Sequence, residues 1–197
     1  MITCYFGMPG CGKTTFLAKI AHRELRRIRR GKSKYKRVYS NTYIKGCYKL
    51  HYSELPFYDF SYCLILLDEL TLDADSRSFK TFTAGHKEFF LMHRHYRCDV
   101  VYATQQYDAV DKKIRDITND TYYVRKGMFF SSAMLIPRGI IIPEQTGDIV
   151  QGYHKPRFFQ ALFKRHVFRP LYYRYFDSYC RPDKDSPPEV MWDFKTC

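Results

Sequence analysis

The sequence predicts an α/β fold: a mostly parallel, doubly wound sheet with helices on both faces and a small β/α appendage towards the C-terminus. Three observations predict it. Strand-length apolar runs alternate with stretches of helical spacing, the arrangement of repeated strand–helix–strand units. The runs at 62–67 and 99–104 read as strands covered on both faces. The first run, at 2–6, opens directly into a glycine-rich turn followed by a helical pattern.

Taken in order, residues 2–6 form a buried first strand. From Lys13 onward, Phe16, Leu17, Ile20, Ala21, Leu25 and Ile28 recur at helical spacing, and Gly31 is the expected stop. Residues 38–44 are rich in Tyr and Thr and predict a strand, as does the apolar run 62–67. A helix is expected over 78–94, a strand over 99–104, a helix over 107–117 and a strand over 121–125. Beyond Gly127 the pattern changes: 128–136 and 140–142 suggest a hairpin or an edge addition, and the proline-containing stretch from Arg181 is expected to be irregular. The expected organisation is a core over 1–127, a basic aromatic appendage over 128–180 and a tail over 181–197.

Composition bounds what the chain can be. Its 197 residues suit one compact domain with a modest appendage, and 45% hydrophobic residues exclude a disordered chain. A formal net charge of +13 favours polyanionic partners: nucleic acid, an acidic membrane surface or an acidic protein. The seven cysteines are odd in number and show no CxxC spacing, which argues against zinc and predicts a reducing compartment. No signal peptide and no apolar run of membrane-spanning length is legible, so a cytoplasmic location is expected, within a host cell if the protein is viral, with attachment to the inner-membrane surface or to an anchor protein as an open option.

The chemistry is concentrated in two motifs. Gly7-Met8-Pro9-Gly10-Cys11-Gly12-Lys13-Thr14 satisfies G-x-x-x-x-G-K-[ST] between a strand and a helix. Glycines let backbone N–H groups turn inward around phosphate oxygens, and the helix N-terminus adds partial positive charge. Nucleotide contacts are therefore expected over Gly7 to Thr15, with Lys13 reaching the β- and γ-phosphates of ATP and Thr14 offering its hydroxyl to Mg²⁺. In Leu64-Ile65-Leu66-Leu67-Asp68-Glu69, two acids follow a buried strand. Asp68 is the expected metal-side residue and Glu69 the general base that activates water. A water-activating acid favours hydrolysis over transfer to a bound hydroxyl, so an ATPase is preferred to a nucleotide or small-molecule kinase. A nucleotide-gated scaffold without hydrolysis is the third class.

Two further candidates follow. Gln105 ends the strand 99–104, at the sheet edge where open parallel sheets bind ligands, and can sense the γ-phosphate or orient water. Arg94, with Arg97 as a second choice, lies in His93-Arg94-His95-Tyr96-Arg97 and is a candidate arginine finger acting on a neighbouring subunit.

The phosphate loop, Tyr39-Ser40-Asn41, Leu64 to Glu69, and the His93-Arg94-His95 run leading into Val100 to Gln106 together resemble the Zot-like ATPase domain. That domain occurs in zonula occludens toxin and in filamentous-phage assembly proteins, near the HerA–FtsK DNA translocases. The resemblance covers about residues 1–127. It implies nucleotide at Gly7 to Thr14, Mg²⁺ and water handling at Asp68 and Glu69, γ-phosphate sensing at Gln105, and a ring-like homo-oligomer acting on phage DNA in export, assembly or packaging. The transmembrane helix and periplasmic part typical of such phage proteins have no counterpart here. Two basic stretches fit a polyanion. Nine of the fifteen residues from Arg23 to Arg37 are Lys or Arg, opposed by Glu24 alone, and 151–176 has no acid while interleaving cations with Phe and Tyr. The second stretch suits single-stranded bases or, at 158–168, an amphipathic segment on anionic lipid.

Overall fold

The computed structural model describes residues 1–70, 83–141, 150–153, 164–181, 188 and 190–192. Twelve strands are defined among them: β1 (Ile2–Phe6), β2 (Arg37–Ser40), β3 (Tyr43–Ile44), β4 (Tyr48–Lys49), β5 (Cys63–Leu67), β6 (Asp99–Thr104), β7 (Asp120–Lys126), β8 (Phe130–Ile136), β9 (Arg138–Ile141), β10 (Val150–Tyr153), β11 (Arg165–Phe168) and β12 (Phe176–Asp177). The α-helices are α1 (Lys13–Arg29), α2 (Ala84–Met92) and α3 (Lys112–Ile117). Eight strands form the main sheet in the order β11-β8-β7-β1-β6-β5-β2-β4. Pairing is parallel from β7 through β4, and β8 and β11 add antiparallel at one edge.

The two faces of this sheet are separated by the period-2 alternation of its strands. Ile65, Leu67, Val100 and Tyr102 point to one side, where Phe89 and Phe90 of α2 and Ile114 of α3 cover them. Leu64, Leu66, Val101 and Ala103 point to the other, against Phe16, Leu17, Ala18 and Ala21 of α1. Helix α1 ends where expected: Gly31 adopts φ 64°, its N–H donates to the Ile28 carbonyl and that of Lys32 to the Arg27 carbonyl, the paired bonds of a glycine C-cap.

Several elements differ from the sequence expectation, each for a local reason. The strand expected over 38–44 is split into β2 and β3, because β3 pairs with β12 outside the main sheet; Asn41 between them still donates its N–H to the Leu66 carbonyl while its side chain bonds the Asp68 backbone. The helix expected from 78 is described from Ala84, where Thr83 caps it by accepting from the His86 N–H; residues 78–82 lie outside the described set. The helix expected over 107–117 is a 3₁₀ turn (Tyr107–Ala109) followed by α3, whose N-cap is Asp111. Of the two arrangements expected for 128–136, the edge addition is the one formed: β8 pairs with β7 and β11, and β9 pairs with β10, while residue 142 lies outside the described set. Within the span considered as an amphipathic membrane segment, 158–163 lie outside the described residues and Arg165–Phe168 is strand β11, a ladder position that replaces the helical periodicity such a segment needs.

Residues beyond 127 are woven into this layer structure. Ala133 and Val167 join the α1-side core, and Trp192 is buried with its indole N–H donating to the Ser40 carbonyl at 3.1 Å. Strand β12 pairs with β3 in a separate two-stranded sheet, and Met191 bridges Tyr48 of β4 at the other edge of the main sheet. Cys4, Cys11, Cys47, Cys63 and Cys98 are free and buried, whereas Cys180 is disulfide-bonded, a feature not foreseen from spacing. Among the described residues no helix is long and apolar enough to cross a membrane.

Asp99 ties the edge opposite the phosphate loop. Its carboxylate accepts from Lys34, from Tyr35 and from the amino group of Met1. Burial pushes this carboxyl up, but the three donors outweigh burial and hold it below its ordinary value. Stability from such a group is present above the unfolded pKa and lost as pH falls through the folded one. Asp99→Asn is expected to cost on the order of 1 kcal/mol at neutral pH and to lose less stability than wild type on going to about pH 3. Urea unfolding at the two pH values checks this, and equal acid losses in both proteins would contradict it.

Candidate nucleotide site

The site is built at the carboxyl ends of β1, β5 and β6, with β6 between the other two. After β1 the chain turns through Gly7 to Gly12 and enters α1 at Lys13. Two glycines there are required by contact as well as conformation. Gly7 has φ 154°, and a Cβ on it would lie 2.5 Å from the Val124 carbonyl oxygen. Gly12 has φ 96°, and a Cβ there would run into Ser131 Oγ. The Ser131 hydroxyl itself donates to the Cys11 carbonyl, so β8 braces the loop from below. No side chain caps the N-terminus of α1 and no acid occupies its first turn, which leaves its N–H groups and partial positive charge open to an anion.

Lys13 is buried. Its ammonium donates to the Gly7 carbonyl at 2.9 Å and the Met8 carbonyl at 3.2 Å, and lies 3.7 Å from Glu69 Oε1. Thr14 Oγ1 donates to Asp68 Oδ2 at 2.7 Å, which joins the two motifs directly. Asp68 is buried, and burial pushes its carboxyl up, with the Glu69 charge adding to that and Thr14 and Lys13 opposing. Its second oxygen, Oδ1, has no hydrogen-bond partner among the described residues. A buried carboxylate with an unpartnered oxygen beside a hydroxyl is a donor set that fits Mg²⁺, a hard cation that takes oxygen ligands. Glu69 has φ 50°, a left-handed backbone that costs a non-glycine residue energy and that recurs at functional sites.

These groups line a cleft of about 420 Å³ that also takes in Pro9, Gly10, Thr15 and Gln105. The fold thus brings Pro9, Gly10, Gly12 to Thr15, Asp68, Glu69 and Gln105 to one cleft, while Gly7, Met8 and Cys11 of the same loop do not line it and Cys11 is buried in the α1-side core. Arg94 and Arg97 are exposed in the turn before β6, at the opposite end of that strand, and are not brought into this chain's own cleft.

Sequence reasoning missed two supports. Asn41 clamps Asp68 from both sides: its amide donates to the Asp68 carbonyl at 2.9 Å and its carbonyl accepts from the Asp68 N–H at 2.6 Å. Arg169 forms part of the cleft wall beside Gly12 and donates to the Gly127 and Met128 carbonyls. The break in the 38–44 strand pattern at an Asn was the available signal for the first; an arginine after a strand gave none for the second.

A phosphate loop, a buried acid held against its threonine and a polar strand end between them, on a mostly parallel sheet, define the class of this chain: a P-loop NTPase fold. Within that class the chain is similar, over part of its length, to the family that its motifs suggested. The family model for zonular occludens toxin (Zot) matches residues 44–134, a span that includes Asp68, Glu69, Arg94 and Gln105 and begins after the phosphate loop. The fold is similar to the N-terminal domain of zonular occludens toxin from Neisseria meningitidis, with TM-score 0.56 and 14% identity over 81% of this chain and 95% of that one. Genome packaging NTPase B204 from Sulfolobus turreted icosahedral virus 2, solved with ATP-gammaS, is similar at TM-score 0.47 and 11% identity over 80% and 98% of the two chains. No curated protein matches the chain.

Replacing Asn41 by Ala leaves the Asp68 N–H and carbonyl buried without their partners, at about 1–3 kcal/mol for each group. Asn41→Ala is expected to lower the urea midpoint and to weaken Mg²⁺-dependent ATPγS binding, since Asp68 loses its position relative to Thr14. Calorimetric titration of ATPγS reads the second effect. Unchanged affinity would mean that Asp68 holds its place without the clamp.

Proposed function

We propose that the chain is a Mg²⁺-dependent ATPase that works as an oligomeric motor on phage or viral DNA, in export, virion assembly or genome packaging. The observation that carries the ATPase half is the 2.7 Å bond between Thr14 and Asp68, with Lys13 and Glu69 paired beside it. In this arrangement the loop N–H groups and the α1 N-terminus bind the phosphates, and Lys13 exchanges its bonds to Gly7 and Met8 for phosphate oxygens. Thr14 and Asp68 would hold Mg²⁺, which when bound neutralises charge on the β- and γ-phosphates. Glu69, released from Lys13, is placed to take a proton from water, and Gln105 to orient that water at the edge of the cleft.

A carboxylate beside the expected γ-phosphate position can take a proton from water or from an acceptor hydroxyl, and the likeness to Zot, a resemblance that implies ATP hydrolysis, favours water. The motor half rests on the Zot likeness and on the +13 charge. Arg94 can serve only in trans from its position at the far sheet edge, so this role requires a neighbouring subunit.

Lys13→Ala is expected to weaken ATPγS binding at least about 100-fold. Glu69→Gln is expected to keep binding within a few-fold while turnover falls about 10²–10⁴-fold. Turnover by wild type should rise when DNA is added. Steady-state phosphate release on the three proteins, with and without single- and double-stranded DNA, checks all of this. Hydrolysis undiminished in Glu69→Gln would remove the assigned base, and turnover indifferent to DNA would remove the motor.

A further inference from the structure

A second cleft, of about 600 Å³, opens between the C-terminal half of α1 and the sheet edge formed by β2 and β4. Its lining includes His22, Arg29, Lys36, Arg37, Lys45 and Tyr48, with Tyr175 closing it from the C-terminal region, and none of the described residues that line it is acidic. We propose that this cleft is a binding site for single-stranded nucleic acid, separate from the nucleotide site. The proposal rests on the motor function above and names where its polymer is held.

The structure sorts the basic run 23–37 into cations already committed and cations that are not. Arg23 and Arg27 pair with the buried Glu24, and Lys34 pairs with Asp99. Arg29, Lys36 and Arg37 of the run, and Lys45 beyond it, have no acidic partner within ion-pair distance among the described residues, and all four line the cleft. Arg26 and Arg30 line an adjoining depression that shares His22 and Arg29, so the positive surface continues past the mouth. The His22 imidazole is held below its ordinary pKa chiefly by burial and then by the charges of Arg26, Arg29 and Arg174. Cations clustered without acids go beyond what a solvated helix end requires, and polyphosphate backbones are what they attract.

Shape and ring chemistry select the polymer. Arg37 lies over the Tyr48 ring at 5.1 Å and Arg174 over the Tyr175 ring at 5.1 Å, with His22 tilted against Tyr175 at 4.8 Å, so cation–aromatic pairs flank the cavity. Bases stack on aromatic rings and on guanidinium planes, provided they are free to leave their own stack. A single strand can turn its bases into such a cavity while its phosphates follow the rim. A duplex keeps its bases inside, and a flat lipid surface reaches only the rim. The cleft also lies on the helix that starts at the phosphate loop: His22 and Arg29 are about 14 and 24 Å along α1 from Lys13. One rigid element therefore joins the nucleotide site to the proposed strand site.

The test is fluorescence anisotropy with a labelled oligothymidylate of about 15 nucleotides on three full-length proteins. Arg37→Glu/Lys45→Glu is expected to weaken binding at least about tenfold at fixed salt and to lower the salt slope. Lys87→Glu/Lys112→Glu makes the same charge change on α2 and α3, across the sheet, and should weaken binding less than about threefold. ATPγS affinity should be unchanged in both, which certifies folding and keeps the nucleotide site out of the comparison. Equal losses in the two variants, a wild type that prefers a duplex of the same length, or full displacement of the oligonucleotide by anionic phosphatidylglycerol vesicles would each overturn the proposal. If both variants bind like wild type, the cleft fails while the DNA motor stands; if wild type binds no DNA and DNA leaves turnover unchanged, both fail.

Discussion

The contact between the Thr14 hydroxyl and the Asp68 carboxylate depends on strand order more than on either residue. The two side chains follow β1 and β5, and these strands are not neighbours: β6 runs between them. Only a parallel arrangement of all three puts the loop after β1, the acids after β5 and Gln105 after β6 at one edge. The apolar alternation that buries both faces of these strands is therefore what sets the chemistry, since a one-residue slip in β5 would turn Asp68 to the other side of the sheet.

Around that contact the molecule is built in layers of support. The Asn41 side chain, just past the end of β2, grips the Asp68 backbone, and Ser131 reaches from β8 to the Cys11 carbonyl. Arg169 fastens the turn after β7 from the C-terminal region while forming part of the cleft wall. The phosphate loop is thus held from the sheet edge as well as from its own strand and helix. Burial raises the cost of a charged Asp68, and a cation on its unpartnered oxygen would offset that cost. The strained backbone at Glu69 follows directly, where the chain turns away from the strand end.

Much of this was legible in the sequence. A glycine-rich loop needs its glycines for contacts that any Cβ would violate, so its signature is nearly free of alternatives at Gly7 and Gly12. The strands β1, β5 and β6 were readable because apolar runs buried on both faces leave a composition that surface segments do not have. What escaped was long-range. Nothing near Arg169 announces that it will meet Gly12, and nothing in Arg165–Phe168 separates a sheet strand from an amphipathic helix when the distinguishing partner, β8, lies some thirty residues earlier. The break at Asn41 was visible only as a polar residue in a strand pattern, because its partner is Asp68 in another strand's turn. The basic run 23–37 was legible as charge, but which of its cations are already paired is a property of the fold.

The central claim is that the loop after β1 and the acid after β5 form one site for a nucleotide and its divalent cation. Calorimetric titration of ATPγS into wild type and Asp68→Asn, each with and without Mg²⁺, tests it most directly. The substitution keeps the shape of the side chain and its bond to Thr14 while removing the charge. Mg²⁺ is expected to tighten binding to wild type and to have little effect on the variant, with the two proteins nearly equal when Mg²⁺ is absent. An equal gain from Mg²⁺ in both proteins would show that Asp68 does not hold the cation and that the two motifs are not one site.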